Sequence, residues 1–320
     1  MDVVVTSPPY WNKRDYGFKN QIGCESTPEK YVENLLAVMS EIRRVMKKSG
    51  SLFLNVGDTY YRKSLVGIPG LIESAATKQK WILRNRIIWV KDGGMPEPSR
   101  NRLANRHEYI LHFVKSPNYY YDLIGYSEEF GNGANPGDVW RIPLGRNMGG
   151  HLAPFPEELV KRALLLSCPK EICPKCGFIR HRIFERTAQL DLNRPQAKRA
   201  MEIARERGLT PEHIRAIQAT GISDAGKALR VQNGTGRNTK RVQELAKAAK
   251  KALGGYFREF TFAKRKTTGW TACSCKAGFA PGVVLDPFMG TQTTLKVAKS
   301  LGVNSIGIDL APKSDKDVWG

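Results

Sequence analysis

The sequence lacks the patterns that would place it in several well-known classes of protein. No apolar run approaches the roughly 18–20 residues that a membrane-spanning helix needs, and no signal peptide precedes the first predicted strand. The absence of G-x-G-x-x-G disfavours a nicotinamide cofactor, and the absence of G-K-[ST] argues against a P-loop. The sequence therefore predicts an intracellular, cytoplasmic protein that has no membrane partner.

Acidic residues are also few. Asp and Glu number 30 against 51 Lys and Arg, which gives a net charge of +21 in a chain of 320 residues. Residues 178–272 hold 21 of the basic and 8 of the acidic residues, so this stretch alone carries 21 − 8 = +13. Such an excess favours a polyanionic partner, most simply a nucleic acid. The alternatives are an ordinary basic protein or one that binds anionic lipid.

Cysteine is scarce, and four of the six cysteines fall into two short pairs. Cys173 and Cys176 form a C-x2-C knuckle, whereas Cys273 and Cys275 are separated by one residue. In an intracellular protein such pairs are reduced or bind metal, and four thiolates can complete a tetrahedral structural zinc site. We expect a zinc ribbon whose tip is expanded by the basic stretch. The alternative is two unrelated reduced pairs.

Apolar patterns predict strands that alternate with helices. A helix is predicted after Thr27, with Pro28 in its first turn, and ends near Gly50. Further helices are predicted at 71–83 and from Pro156 to residue 167. The predicted strands are 1–5, 51–58, 86–90 and 107–114. The segment from about 92 to 150 is rich in Gly, Pro and Asn, and its stretches at 91–106 and 131–138 have the composition of loops. This alternation predicts an α/β fold with a mostly parallel sheet and helices on both faces.

The composition changes after residue 168 and an apolar pattern returns near 280. We expect a first part at 1–168, a basic and mainly helical insert at 169–279, and a final part at 280–320. Two helices are predicted in the insert. One is capped by Thr210 with Pro211 inside it, and the other runs from near Asn238 to Gly254.

The final part has the pattern of a βαβ unit at 281–310. A buried strand ends at Asp286, a turn containing Gly290 leads into a helix near Thr293, and the next strand ends at Asp309. A glycine at such a turn lets the backbone approach a ligand closely, and the helix start offers N–H groups. An acid at the second strand end can bind ribose hydroxyls. The pattern predicts a site for an adenosine-bearing ligand; the alternative is an ordinary βαβ unit.

The segment TSPPYW follows the first strand at residues 6–11. Two prolines stop the strand and make its tip rigid. A serine hydroxyl, carbonyl groups and two aromatic rings are therefore held beyond the carboxyl end of a strand, where ligands bind in parallel sheets. Asn55 and Asp58 end the neighbouring strand, where they either contact a ligand or cap a helix.

The segments TSPPYW, VLDPFMGTQTT and GIDL together resemble the amino-group DNA methyltransferases that use S-adenosylmethionine. The catalytic motif precedes the cofactor motif, as in the permuted β-class of that family. Further resembling blocks are YVENLLAVMSEIRRVMKKSGSLFLNVGD and HLAPFPEELVKRALLLS, and the resemblance covers most of 1–168 and 280–310. It implies a Rossmann-like methyltransferase fold with a sheet in circularly permuted order, and a prokaryotic or phage-infected cell as the location.

The resemblance also implies a role for each matching residue. The catalytic loop would consist of Ser7, Pro8, Pro9 and Tyr10. The Ser7 hydroxyl and Pro8 carbonyl would accept hydrogen bonds from the amine of a flipped base, and Tyr10 would stack on its ring. Trp11 either adds an apolar wall or packs in the core. The expected cofactor residues are Asp286, Pro287, Phe288, Gly290, Thr291, Thr293, Asp309 and Phe155, and Gln292 stands where the family usually has a second glycine.

The first residue of the catalytic motif bears on which base is methylated. In this family a serine there is associated mainly with cytosine N4, so we predict a cytosine-N4 enzyme that transfers the methyl group directly, in line. An adenine-N6 enzyme is the first alternative, a catalytically inactive DNA-binding homologue the second, and RNA methylation the third. A 5-methylcytosine enzyme is disfavoured, since no cysteine nucleophile lies in the catalytic block.

Double-stranded DNA is the partner that the family implies, with a homodimer and a cognate restriction endonuclease as further candidates. The basic insert is the natural region for target recognition, because its cations can neutralise phosphates and its polar side chains can read base edges. The alternative is that loops within 92–150 read the sequence, while the insert only adds non-specific affinity.

Overall fold

A computed structural model describes residues 1–91, 99–144, 156–222 and 238–310 of the chain. Their contacts define two compact units. Unit 1 contains residues 1–181 and the chain from Ala272 onward, and unit 2 is Arg182–Thr271. The segments 169–181 and 272–279, which we expected to belong to the insert, are therefore part of unit 1 and bring the four paired cysteines with them.

The strands and helices alternate along unit 1 as the sequence predicts, and they are numbered together with those of unit 2 in chain order. The strands in chain order are β1 Val3–Thr6, β2 Ser51–Val56, β3 Tyr60–Tyr61, β4 Ser64–Leu65, β5 Ile82–Val90, β6 His107–Val114, β7 Val139–Arg141, β8 Arg182–Arg186, β9 Arg265–Trp270, β10 Val283–Asp286 and β11 Asn304–Gly307. The α-helices are α1 Pro28–Val45, α2 Ile68–Lys78, α3 Leu123–Phe130, α4 Glu157–Ser167, α5 Pro195–Glu206, α6 Pro211–Thr220, α7 Lys240–Leu253, α8 Phe257–Thr261 and α9 Thr293–Ser300. Among the helices in the described ranges, not one combines the length and apolar character that crossing a membrane requires.

Seven strands form the central sheet of unit 1 in the order β11-β10-β1-β2-β6-β5-β7. Strand β6 runs antiparallel to both of its neighbours, and every other adjacent pair in this sheet is parallel. The prediction of a mostly parallel sheet is confirmed. The first strand of the chain lies beside one of the last, which is the permuted order that the resemblance implies.

Helices cover both faces of the sheet, because side chains alternate along each strand. Val4 packs in a buried cluster with Leu35 of α1 and Ile72 of α2. Val3 and Val5 point the other way and pack in a second cluster with α4 and α9. β1 is fully buried on both sides, which explains why it is a continuous apolar run without alternation.

Helix α1 begins where the capping residues predict. The Thr27 hydroxyl accepts a hydrogen bond from the Lys30 N–H, and Pro28 occupies the first turn. Helix α2 is shifted relative to the prediction of 71–83, and β5 begins at Ile82 rather than 86. Strand β5 begins with the half-buried Ile82 and Leu83, but residues 84–86 are exposed and polar and the register against β6 is irregular there, so no alternation marks its first half. Helix α3 and strand β7 lie where no element was predicted.

Unit 2 is mainly helical, as predicted. Helix α6 follows the Thr210 cap, and α7 begins after Thr239 and ends at Gly254. Helices α5 and α8 and the antiparallel pair β8–β9 were not predicted. The core of this unit contains small residues such as Ala200 and Ala249, packed with Ile217 and Phe260. Alanine fills the space between closely packed helices without forming an apolar run, which explains why sequence patterns missed helix α5.

Candidate active site

The two principal motifs lie at one edge of the central sheet. Strands β1 and β10 are parallel neighbours, with Val4 beside Leu285, so their carboxyl ends lie together. The catalytic loop leaves β1 there, and the loop at 287–292 leaves β10. The Thr6 hydroxyl donates a hydrogen bond to Asp286 Oδ1 over 2.6 Å. This bond joins the base of the catalytic loop to the base of the second loop.

Asp286 is the buried centre of this junction. Its carboxylate also accepts hydrogen bonds from the Thr294 hydroxyl at 2.6 Å and from the Phe288 N–H at 3.1 Å. Burial raises the pKa of the Asp286 carboxyl, and the three hydrogen bonds oppose that rise because they favour the ionised form. Asp286 therefore ties the loop to both β1 and the first turn of α9.

The acid at the end of the last strand lies against the glycine turn. The Gly290 N–H donates to Asp309 Oδ2 over 2.9 Å. Gly290 is exposed and adopts a φ of +46°, a left-handed conformation that suits glycine. The Phe288 ring is half-buried against the core. The same turn contains Pro287 and the hydroxyls of Thr291 and Thr293, which are 3.2 Å apart. The structure thus brings these expected cofactor residues together, whereas Phe155 lies outside the described residues.

Gln292 precedes α9 in a strained backbone conformation. Its φ of +62° lies in the left-handed region, which costs a residue with a side chain about 1–2 kcal/mol. The family's usual glycine at this position would adopt that conformation without strain. The departure noted in the sequence therefore falls where the backbone itself favours glycine.

Replacing Gln292 is expected to show this strain directly. We expect the Gln292→Gly variant to be about 1 kcal/mol more stable than Gln292→Ala in urea unfolding. Both variants lose the same buried side chain, so their difference reports the backbone conformation. Equal stability of the two variants would show that the turn relaxes to a different φ.

The catalytic loop carries a hydrogen-bonded network around Tyr10. The Tyr10 hydroxyl donates to Glu108 Oε2 over 2.7 Å. Asn55 Nδ2 lies 2.8 Å from the Tyr10 hydroxyl, 3.0 Å from Glu108 Oε2 and 3.3 Å from Ser7 Oγ. Burial, followed by the Glu108 carboxylate, raises the pKa of Tyr10 well above its ordinary value. Tyr10 is therefore a neutral hydrogen-bond donor whose ring orientation is fixed at its hydroxyl end.

Glu108 was missed by sequence reasoning. It lies in β6, which runs antiparallel to its neighbours in the central sheet, and forms an ion pair with Lys91. Strand β6 reads as an ordinary buried strand, so the only signal available was a charged residue near the start of an apolar run. A charge buried at such a place needs a partner, and its partners come from three separate parts of the chain.

The Tyr10 ring packs against the end of β2. A Cβ atom built on Gly57 would lie 2.7 Å from Tyr10 Cε2 and 3.0 Å from Cδ2, closer than real side chains approach. Gly57 therefore provides the space in which the ring lies. The sequence contains this glycine in the stretch NVGD, but nothing local to it indicates which side chain it accommodates.

The other residues of the loop hold its shape. The Pro9 carbonyl accepts a hydrogen bond from the Tyr31 hydroxyl of α1 at 3.0 Å. Trp11 is buried in the core, and its Nε1 donates to the Glu25 carbonyl, which favours the packing alternative for this residue. Pro8 is buried and Ser7 is half-buried.

Asn55 and Asp58 have different roles. Asn55 joins the network around Tyr10, whereas Asp58 accepts hydrogen bonds from the N–H groups of Gly67 and Ile68. Asp58 therefore caps the start of α2. The sequence left ligand contact and helix capping open for this pair, and the structure shows the capping role for Asp58.

Comparison with known proteins agrees with this arrangement. Residues 1–172 and 273–314 match the N6/N4 DNA methylase family model. The interruption at 173–272 nearly coincides with unit 2, so the matched regions are those that form the sheet and its two loops.

Individual relatives cover part of the chain. A stretch of 195 residues is 35% identical to the Type II methyltransferase M.Cfr9I of Citrobacter freundii, over 51% of this chain and 65% of that protein. The Type II methyltransferase M.SmaI of Serratia marcescens is 34% identical over 197 residues, which are 51% of this chain and 68% of that protein. The chain thus spans slightly less than two thirds of the length of M.Cfr9I and slightly more than two thirds of the length of M.SmaI.

The fold is also similar to a solved structure. The PvuII DNA methyltransferase (cytosine-N4-specific) superposes with a TM-score of 0.53 at 13% identity, over 98% of this chain and 76% of that one. This likeness concerns the fold alone. Together with the family match over more than half of the chain, the sheet order and the two motifs, it leads to one conclusion: the chain belongs to the N6/N4 DNA methylase family.

Proposed function

We propose that this protein transfers a methyl group from S-adenosylmethionine to the exocyclic N4 amine of cytosine in double-stranded DNA. The observation that carries the proposal is the Thr6–Asp286 hydrogen bond. It fixes the loop expected to hold the amine and the loop expected to hold the cofactor to adjacent strand ends. Transfer between two bound groups requires this kind of fixed geometry, because a misplacement of about 1 Å can cost 100-fold in rate.

The residues at 286–293 and Asp309 fit the cofactor. The Asp309 carboxylate and the exposed Gly290 turn lie together, as ribose and backbone recognition need, and the half-buried Phe288 ring offers an apolar surface. The start of α9 adds N–H groups. When bound, S-adenosylmethionine would supply an electrophilic methyl group on its sulfonium.

On the substrate side, the chain would hold the amine rather than activate it with a strong base. The Ser7 hydroxyl and Pro8 carbonyl would accept hydrogen bonds from the amine, so that its lone pair points at the methyl group. Tyr10 would stack on the flipped base. The hydrogen bond that Tyr10 donates to Glu108, the one that it accepts from Asn55 and the contact of its ring with Gly57 would hold the ring in place before the base binds.

DNA is proposed as the substrate on three grounds. The family is described as DNA methylase, and the relatives are named Type II methyltransferases. The stretch 178–272, which contains unit 2, carries a net charge of +13, which suits phosphate contacts. We propose that unit 2 contributes to target recognition, since it lies outside the residues that match the family.

The test is to incubate the protein with deuterated-methyl S-adenosylmethionine and DNA of mixed sequence, digest the DNA and identify the labelled nucleoside by mass spectrometry. We expect N4-methylcytosine. Ser7→Ala should lower the yield, because it removes an acceptor at the amine, whereas Ser64→Ala in the exposed strand β4 should not.

Each other outcome supports one of the alternative functions. Labelled N6-methyladenine would identify the protein as an adenine-N6 enzyme, and Ser7 would then not indicate cytosine as the target base. Label in RNA but not DNA in a parallel reaction would change the substrate. Cofactor and DNA binding without any labelled product would identify an inactive DNA-binding homologue.

A further inference from the structure

Four cysteines that are distant in the sequence meet within unit 1. The sulfur atoms of Cys173, Cys176, Cys273 and Cys275 all lie within 4.8 Å of one another. Four thiolates around zinc, each about 2.3 Å from the metal, have sulfur atoms about 3.8 Å apart. We propose that these cysteines bind one structural zinc ion. The metal would lie outside the proposed catalytic centre and take no part in methyl transfer.

The first pair is built into a tight turn that sets the positions of its sulfurs. The Gly177 N–H donates to the Cys173 carbonyl over 2.9 Å, and the Cys173 N–H donates to the Phe178 carbonyl over 2.9 Å. Gly177 has a φ of +70°, which glycine adopts without strain.

The second pair is held beside the first by backbone contacts that do not involve sulfur. Ile172 forms antiparallel bridges both with Ile179 and with Ala280. The Ile172 N–H donates to the Ala280 carbonyl over 2.8 Å, and the Ala280 N–H donates back over 2.9 Å. The segment after the Cys173–Cys176 pair and the segment after Cys275 therefore both pair with Ile172. Proximity of the four sulfurs follows from this backbone arrangement.

The chemistry of this ligand set favours zinc over hard cations. Four sulfur atoms in a compact group are the ligand set of structural zinc sites, whereas magnesium and calcium require oxygen. The other two cysteines do not take part. Cys168 is buried in the core of unit 1, and Cys24 is exposed elsewhere.

The position of the site suggests its purpose. Cys176 lies shortly before Arg182, where unit 2 begins, and Cys273 lies shortly after Thr271, where unit 2 ends. A metal bound here would fix, within unit 1, both points at which the chain leaves for unit 2 and returns. Cys173 and Cys176 lie outside the residues that match the family, whereas Cys273 and Cys275 lie inside them, so the site would lie at the boundary between the insertion and the shared fold.

The test is the metal content of the full-length protein purified without added metal or chelator. Inductively coupled plasma mass spectrometry should find about one zinc per chain. Titration with a mercurial reagent should release that zinc as four cysteines react. Replacement of zinc by cobalt should give the strong visible absorption of a tetrahedral cobalt thiolate.

Variants make the assignment specific. The Cys176→Ser and Cys275→Ser variants should retain less than a tenth of the zinc, and the control Cys24→Ser should retain all of it. Should the serine variants be insoluble, the cobalt spectrum of the wild-type protein decides. Zinc well below one per chain in the wild type, a cobalt spectrum without thiolate bands, or full zinc in Cys176→Ser would each overturn the proposal. None of these measurements depends on methyl transfer, so the proposed function is tested separately.

Discussion

Replacing Gly57 with alanine is expected to lower the rate of methyl transfer by about 100-fold. The added Cβ would lie 2.7 Å and 3.0 Å from two atoms of the Tyr10 ring, so the ring must move. It cannot move while its hydroxyl keeps its bonds to Glu108 and Asn55. The stacking platform is therefore displaced from the position at which a flipped base would meet the cofactor. Single-turnover methylation of DNA measures the effect.

The matched control is Gly70→Ala in helix α2. A Cβ at Gly70 meets no atom within 4 Å, and alanine is a better helix former than glycine by about 1 kcal/mol. We expect unchanged methylation and slightly higher stability. A Gly57→Ala variant as fast as the wild type would show that the orientation of Tyr10 does not limit the reaction. Equal losses in both variants would point to a general effect on folding.

Replacing Asp286 with alanine is expected to lower the free energy of unfolding by about 3–5 kcal/mol. The change removes the acceptor of three donors: the buried hydroxyls of Thr6 and Thr294 and the partly buried Phe288 N–H. Each buried donor left without an acceptor costs about 1–3 kcal/mol. Because these bonds hold the cofactor loop to β1, binding of S-adenosylmethionine should be lost as well. Urea unfolding and titration calorimetry measure the two effects.

The Asp286→Asn variant tests the effect of the hydrogen bonds separately from the effect of the negative charge. Asparagine retains the size of the side chain and one acceptor oxygen, and its amide can donate to a threonine hydroxyl. We expect it to lose about 1 kcal/mol of stability and to bind the cofactor more tightly than Asp286→Ala. If both variants unfolded at the same urea concentration, the buried charge rather than the hydrogen bonds would be what the fold requires.

Much of the fold was predictable because the sequence patterns that indicate its helices and strands lie within those elements or next to them. The capping residues at Thr27 and Thr210 lie next to the helices that they start, and the apolar run of β1 is continuous because both faces of that strand are buried. The order of the TSPPYW and DPFMG motifs indicated the permuted sheet. Helices α5 and α8 gave no such signal, since their buried residues include alanines and an isolated phenylalanine.

The sequence by itself determined the family, the mostly parallel sheet and the two loops at its carboxyl edge, because each depends on patterns within a short stretch of chain. Only the tertiary structure decided which side chains meet. Glu108 reaches Tyr10 because β6 runs antiparallel beside β2, and Gly57 accommodates the Tyr10 ring because β1 and β2 end at the same edge. The four cysteines converge because Ile172 pairs with segments on both sides of unit 2. Contacts of this kind join residues far apart in the chain, and no local pattern encodes which partner the folded backbone will bring.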